Sequence, residues 1–305
     1  SSLFLETRYE DFFHFLTVLT LDGTAIAING ILIITIIRST PSSLKSYSAL
    51  LLFSAIIDGN AALMSLLATV TVNNLEGSII FVYLGPCRFI HVQMCYAAQA
   101  IHVQSISQSC VALILSFSYR LWSFAHTINH GVHSESFAKL FCLCLLSTIP
   151  AAITTITFSN SPSLPPQSLI EHPQLAGRLF SVFNMSASHL LSTENLLPRV
   201  SIGYIICLYL TASPILFILR RKLLQKIQIM TSSSEKRRHH QIFRSLTLQM
   251  CIPLSFSIAF VFWILDFIGV YRLDVFQRAV MPISSLFAII SPLIVIYYLP
   301  PYRRY

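Results

Sequence analysis

The sequence predicts an all-α membrane protein: one seven-transmembrane helix bundle spanning residues 1–305, with its N-terminus extracellular. Three observations carry this expectation. The 305-residue chain is 54% hydrophobic and only 10% charged, whereas soluble globular chains hold about 25% charged residues. Successive apolar runs reach the ~20 residues that a helix needs to cross a bilayer. Basic residues are unevenly divided between the two sides that these runs define, and that bias sets orientation.

The runs follow in order. Span one covers about 12–37 and contains Asp22 and Asn29, and the turn RSTPSSLK follows it. Span two, about 47–72, contains Asp58. The turn NNLEG and a short apolar run, Ser78 to Leu84, lead into span three at about 86–119. Span four is about 137–157. The extracellular loop 158–198 is rich in Ser and Pro, holds no run of spanning length, and is expected to form an irregular cap. Span five, about 200–219, continues without a breaker into RRKLLQKIQIM, a basic helical extension into the cytoplasmic loop 220–245. Spans six and seven cover about 246–270 and 280–299.

With these bounds, fourteen Lys and Arg fall on the side of the loops after spans one, three and five, and six fall on the other. The net charge of +8 is thereby accounted for by membrane topology rather than by nucleic-acid binding. The sequon at Asn184 lies on the outer side, which agrees with that orientation. The loop 158–198 has no Cys, so it cannot be bridged to span three. A Cys87 to Cys95 bridge is open only if residue 87 precedes the helix, because eight helical residues cover ~12 Å and a disulfide needs Cα atoms within ~7 Å.

Span three organises the rest. Between Arg88 and Arg120 it has no formal charge, yet it carries His91, Gln93, Gln99, His102, Gln104, Ser105, Ser107, Gln108 and Ser109. Unpaired donors and acceptors are costly in hydrocarbon, so this helix has to be surrounded by other helices.

Six local motifs stand out: Leu44-Lys45-Ser46-Tyr47-Ser48, Gly85-Pro86-Cys87, Leu115-Ser116-Phe117-Ser118-Tyr119-Arg120, Ser245-Leu246-Thr247-Leu248-Gln249, Ile290-Ser291-Pro292-Leu293-Ile294 and Pro301-Tyr302-Arg303. These motifs resemble those of nematode serpentine chemoreceptors. Together they cover nearly the whole chain and are most similar to class delta (Srd) within the Str-type superfamily. The resemblance implies a G-protein-coupled receptor of chemosensory neurons, in the plasma membrane of their cilia, tuned to a small environmental molecule such as an odorant or pheromone. It implies no enzymatic activity and no cofactor; the partners it implies are the small ligand, a heterotrimeric G protein and membrane lipids. A fainter similarity to rhodopsin-like receptors rests on Asn29, Asp58 and Tyr119-Arg120. The acid that normally precedes such an Arg is absent, and Ser291-Pro292 stands where Asn-Pro would stand.

Candidate site residues fall into three groups. His91, Gln99 and His102 share one face of span three in its outer half; Tyr204, Trp263, Asp266, Phe267 and Ser285 are placed to complete a ligand pocket with them. The plain alternative is aromatic packing and interhelical hydrogen bonding, the latter favoured for Gln104 and Gln108 on another face of span three. Asp58 is expected to join Asn29, Gln108 and Ser291, next to Pro292, in a polar core that either switches on activation or serves as a static packing centre, since a buried acid must find partners. Tyr119, Arg120, Arg221, Lys222, Lys226 and Arg244 form a basic inner rim for G-protein coupling, and attraction to anionic lipid accounts for much of the same charge.

Other classes have less support. No HExxH, GxSxG or phosphate-cradling Gly loop is present. The His126, His130 and His133 spacing lacks nearby acids or Cys for zinc, so no metal is expected. A seven-span ligand-gated channel of the insect odorant-receptor kind is the rival reading, but that family places its N-terminus inside. A transporter would be expected to show an inverted repeat, which is not evident.

Overall fold

A computed structural model of the chain describes residues 2–41, 44–75, 78–130, 137–159, 186–189, 196–229, 233–251, 253, 257, 258, 261, 265, 274–299 and 302. Helix α1 (Ser2–Ser39) and helix α2 (Lys45–Ala68) open the chain as an antiparallel pair. On α1 the buried residues Val18, Asp22, Ala25, Asn29, Leu32 and Ile36 recur every three or four positions, whereas Ile31, Ile34 and Ile37 are exposed. Such a stripe seats the helix on one face and leaves the other for lipid. Among the described residues, four helices are long and apolar enough to cross a membrane: Tyr9–Ser39, Lys45–Ala68, Gln93–Ser123 and Gly203–Gln228. Two shorter apolar helical segments are Phe137–Leu146 and Pro282–Tyr298.

The segment between α2 and the third long helix departs from the expected turn and apolar run. Helix α2 stops at Ala68, before the predicted bound of 72, because Thr69 adopts a left-handed conformation at φ 36° and its N–H returns to the Ser65 carbonyl. Strands β1 (Val70–Leu75) and β2 (Ser78–Tyr83) then form an antiparallel hairpin. β-Branched residues at Val70, Thr71, Val72, Ile79, Ile80 and Val82 favour the extended backbone. Strand β3 (Ser186–His189), from within the predicted loop 158–198, adds to the β2 edge through the Ile80–His189 to Tyr83–Ser186 pairs. His14 Nε2 lies 3.2 Å from the Val70 carbonyl oxygen and joins α1 to this sheet.

Gly85 lets the returning chain pass against the end of α2. Its N–H donates to the Ala68 carbonyl at 3.0 Å, and a Cβ there would collide with the Leu67 carbonyl oxygen and with the Ala68 backbone. A 3₁₀ turn, Pro86–Phe89, follows before helix α3 (Val92–His130). The third helix therefore begins six residues later than expected and runs eleven residues further. Cys87, placed ahead of the helix, bridges to Cys95 with Cα atoms 5.2 Å apart.

Helix α3 packs against α2 and, later in the chain, against the helices of residues 149–159, 196–229 and 233–249. The predicted fourth span is two helices, α4 (Phe137–Leu146) and α5 (Ile149–Ser159). Pro150 lacks the N–H that would continue the helical ladder to Leu146, and the turn at Ser147 and Thr148 re-satisfies nearby carbonyls. Helix α6 (Leu196–Ile229) corresponds to span five and is about 50 Å long. It carries its basic extension past Leu219 as one continuous helix. Helix α7 (Ser233–Gln249) enters span six, and α8 (Asp274–Tyr298) forms span seven with Pro282 and Pro292 inside it.

Two apolar cores divide the bundle. One, at the end carrying the sheet and disulfide, gathers Tyr83, Cys87, Cys95, Tyr96 and Tyr209; the other, at the basic end, gathers Tyr47, Phe117, Leu223, Phe243 and Tyr302. Between them Ala25, Ala62 and Ala288 let α1, α2 and α8 approach closely. Replacing both Cys87 and Cys95 by Ser should destabilise the purified protein by about 2–3 kcal/mol, the chain-entropy value for an eight-residue closure. An unchanged thermal unfolding midpoint in detergent would show that the bridge contributes nothing to stability.

Candidate functional site

Three polar assemblies lie along α3. The first surrounds Asp58, which is buried midway along α2. Ser109 of α3 donates to its Oδ1 at 2.7 Å, and the Ser291 hydroxyl of α8 also bonds the carboxylate. Asn29 does not bond Asp58 directly. Its Nδ2 donates to the carbonyls of Ala25 at 2.9 Å and Ala288 at 2.8 Å, which fastens α1 to α8. Asn29, Asp58, Ser109, Ser291 and Pro292 line a common internal cavity of about 50 Å³. That volume accommodates a water molecule with polar partners.

Gln108 does not join the polar core around Asp58 and instead makes the interhelical bond expected as its alternative. Its Nε2 donates to Ser147 Oγ at 2.6 Å, in the turn between α4 and α5. One residue along a helix rotates a side chain by about 100°, so Gln108 faces the fourth span while Ser109 faces Asp58. Gln104, one turn earlier, accepts from Thr155 of α5. Asn60 of α2 donates to Ser105 at 2.9 Å, an interhelical bond that no sequence motif announced.

The second assembly lies nearer the sheet. Gln99 and His102 are 3% and 2% exposed, one turn apart on α3. His102 Nε2 is 3.4 Å from Ser284 Oγ on α8. Both amide atoms of Gln99 and His102 Nδ1 are buried without a hydrogen-bond partner. His91 does not join them, because α3 starts after it: the ring is exposed and accepts from the Gln93 N–H. Ser285 also departs from the expected pocket. Together with Ser65 it presents its hydroxyl to Asp22, which is fully buried on α1. Ser284 takes the position beside His102, and only helical phase separates these adjacent serines. Tyr204 is half-buried against the core around the disulfide. Trp263, Asp266, Phe267 and the sequon residue Asn184 lie outside the described residues.

The third assembly closes the basic end. Arg120 was expected on an open rim but is only 7% exposed, with its guanidinium 3.7 Å from the centroid of the Tyr47 ring. A cation over an aromatic face in a desolvated site contributes about 2 kcal/mol, which offsets part of the cost of burying the charge. Tyr302 approaches the same group from the C-terminus, and its hydroxyl lies 3.1 Å from Thr40 Oγ1. Burial raises the Tyr302 phenol above its ordinary pKa, opposed by the Thr40 bond and by the Arg120 charge. Tyr119 is half-buried with its ring 6.2 Å from Trp122. Arg221 lies over Phe217, Lys222 and Arg244 are exposed, and Lys226 is half-buried. These residues form the rim without Arg120.

Replacing Asp58 by Ala removes the acceptor of two hydroxyls and should cost about 1–3 kcal/mol. Asp58→Asn keeps an acceptor and should cost less. Equal unfolding midpoints for the two variants in detergent would contradict the pairing described.

Residues 14–305 match the family described as serpentine type 7TM GPCR chemoreceptor Srd. Relatives from Caenorhabditis elegans agree with that match along most of their length. Serpentine receptor class delta-18 is 26% identical over 286 residues, covering 88% of this chain and 80% of the relative. Serpentine receptor class delta-3 is 24% identical over 91% of this chain and 82% of the relative, and class delta-33 is 26% identical over 95% and 84%. A buried polar spine on a helix enclosed by apolar spans and a family match over nearly the full length lead to one conclusion: the chain belongs to the Srd family of serpentine seven-transmembrane chemoreceptors.

Proposed function

We propose that this protein is a G-protein-coupled chemosensory receptor whose small ligand binds at the sheet end of the bundle, beside Gln99 and His102. The carrying observation is that three polar atoms on one helical turn are buried with no partner. Leaving donors and acceptors unmade in a low-dielectric interior is costly, and a ligand with complementary groups removes that cost. Tyr204, Trp263, Asp266 and Phe267 belong to the same proposed pocket, and the sheet covers it. His91 and Ser285 are not retained, given their positions.

In this reading the sheet end faces outward, Asn184 carries a glycan, and the basic end meets a heterotrimeric G protein inside the cell, with the receptor in the plasma membrane of sensory cilia. Ligand binding drives opening only through differential affinity for the two states. The Asp58 core lies between the two ends and links α1, α2, α3 and α8, so a shift of α3 has to be shared by its neighbours. Opening frees Arg120 from Tyr47 and Tyr302 and exposes it beside Tyr119, Arg221, Lys222, Lys226 and Arg244. The charge distribution supports this orientation, and an inverted chain would favour the channel reading instead.

Antibody staining of an N-terminal tag on intact cells tests orientation first; staining only after permeabilisation would overturn the receptor reading. In a G-protein reporter assay with an activating odorant, Gln99→Ala and His102→Ala should each raise the half-maximal concentration about 3- to 10-fold, the loss of one neutral hydrogen bond. Unchanged dose responses would remove both residues from the pocket. Arg120→Ala should abolish signalling at normal surface expression, and retained signalling would exclude Arg120 from coupling.

A further inference from the structure

At the basic end, α3 and α6 leave between them a groove of about 560 Å³, two of whose lining residues, Lys222 and Lys226, also belong to the proposed coupling rim. Leu121, Trp122 and Ser118 line the α3 side, and Leu219, Lys222 and Lys226 line the α6 side. The groove straddles the end of a hydrophobic span: Leu219 closes the apolar run of α6, and Lys222 and Lys226 follow on its basic continuation. Lys222 and Lys226 are one turn apart and therefore share a face. No acidic residue is among the residues that line it. Trp122 is 39% exposed, and an indole with an apolar body and one N–H suits the boundary between hydrocarbon and head groups.

We propose that this groove is a binding site for an anionic phospholipid, with the phosphate between Lys222 and Lys226 and the upper acyl chain against Leu121, Leu219 and Trp122. Two ammonium groups without a neighbouring carboxylate select a negative head group. The volume falls within the range of small-molecule sites. The apolar floor distinguishes a lipid from a soluble phosphate, which needs no such surface. A docking protein segment is the competing occupant, but the groove opens where a span ends, at the depth that bilayer lipid already fills. The site shares Lys222 and Lys226 with the proposed coupling rim and does not depend on what the sheet end binds.

The test uses the full chain purified in detergent and followed by native mass spectrometry during titration with phosphatidylserine or phosphatidylcholine. One phosphatidylserine should be retained at about tenfold lower concentration than phosphatidylcholine. The preference should be lost in the Lys222→Gln, Lys226→Gln double variant and kept in the Lys222→Arg, Lys226→Arg variant. Equal retention of the two lipids, or an undiminished preference in the Gln variant, overturns the proposal. Displacement of the lipid by soluble glycerophosphoserine at equal concentration also overturns it, because the acyl contacts would then contribute nothing. A photoreactive phosphatidylserine provides a readout on the unmodified chain. It should label peptides containing Trp122 or Lys226, and labelling confined to other helices counts against the groove.

Discussion

A membrane interior supplies no water to satisfy polar side chains, so the polar residues of α3 have to be matched by side chains from its neighbours. That single requirement fixes much of the bundle. Gln104 and Gln108 reach α5 and the turn before it, Ser105 and Ser109 reach α2, and His102 reaches α8. The contacts to each neighbour fall on a distinct face of the helix. Rotating α3 by one residue would strand all of them together, so the polar spine specifies register in a way that apolar packing against lipid-like neighbours cannot.

The two ends of this spine are unlike. Near the sheet, Gln99 and His102 keep buried polar atoms unmatched. At the opposite end Arg120 is held between α3, the Tyr47 ring of α2 and the C-terminal Tyr302. The acid that rhodopsin-like receptors use beside this Arg is missing, and an aromatic face and a phenol take its role of holding the charge.

Much of this arrangement was legible in the sequence. Long apolar runs identified the four membrane-length helices among the described residues, the density of polar residues marked α3 as enclosed by its neighbours, and the arithmetic of helical rise required Cys87 to precede the helix if it was to reach Cys95. What was not legible depended on phase or on distant partners. Ser284 and Ser285 are indistinguishable as neighbours in a string, yet one faces His102 and the other Asp22. Tyr119-Arg120 stood out as a motif at the end of a span, but nothing local reveals that Tyr47 will cover the Arg120 charge. The hairpin was missed because TVTV and IIFVY satisfy an apolar-run criterion as well as a strand criterion. Their β-branched content on either side of NNLEG was the available signal.

The cap over the sheet end is attached in an unusual manner. The single disulfide spans only eight residues and secures the start of α3 to its own approach turn. The segment from the long loop 158–198 is joined to β2 by a ladder of four residue pairs, and that loop has no cysteine with which to do otherwise. A covalent tether would make that junction a permanent architectural element, insensitive to everything but redox chemistry. A short edge strand makes it a zipper, whose fraying is set by temperature and solvent.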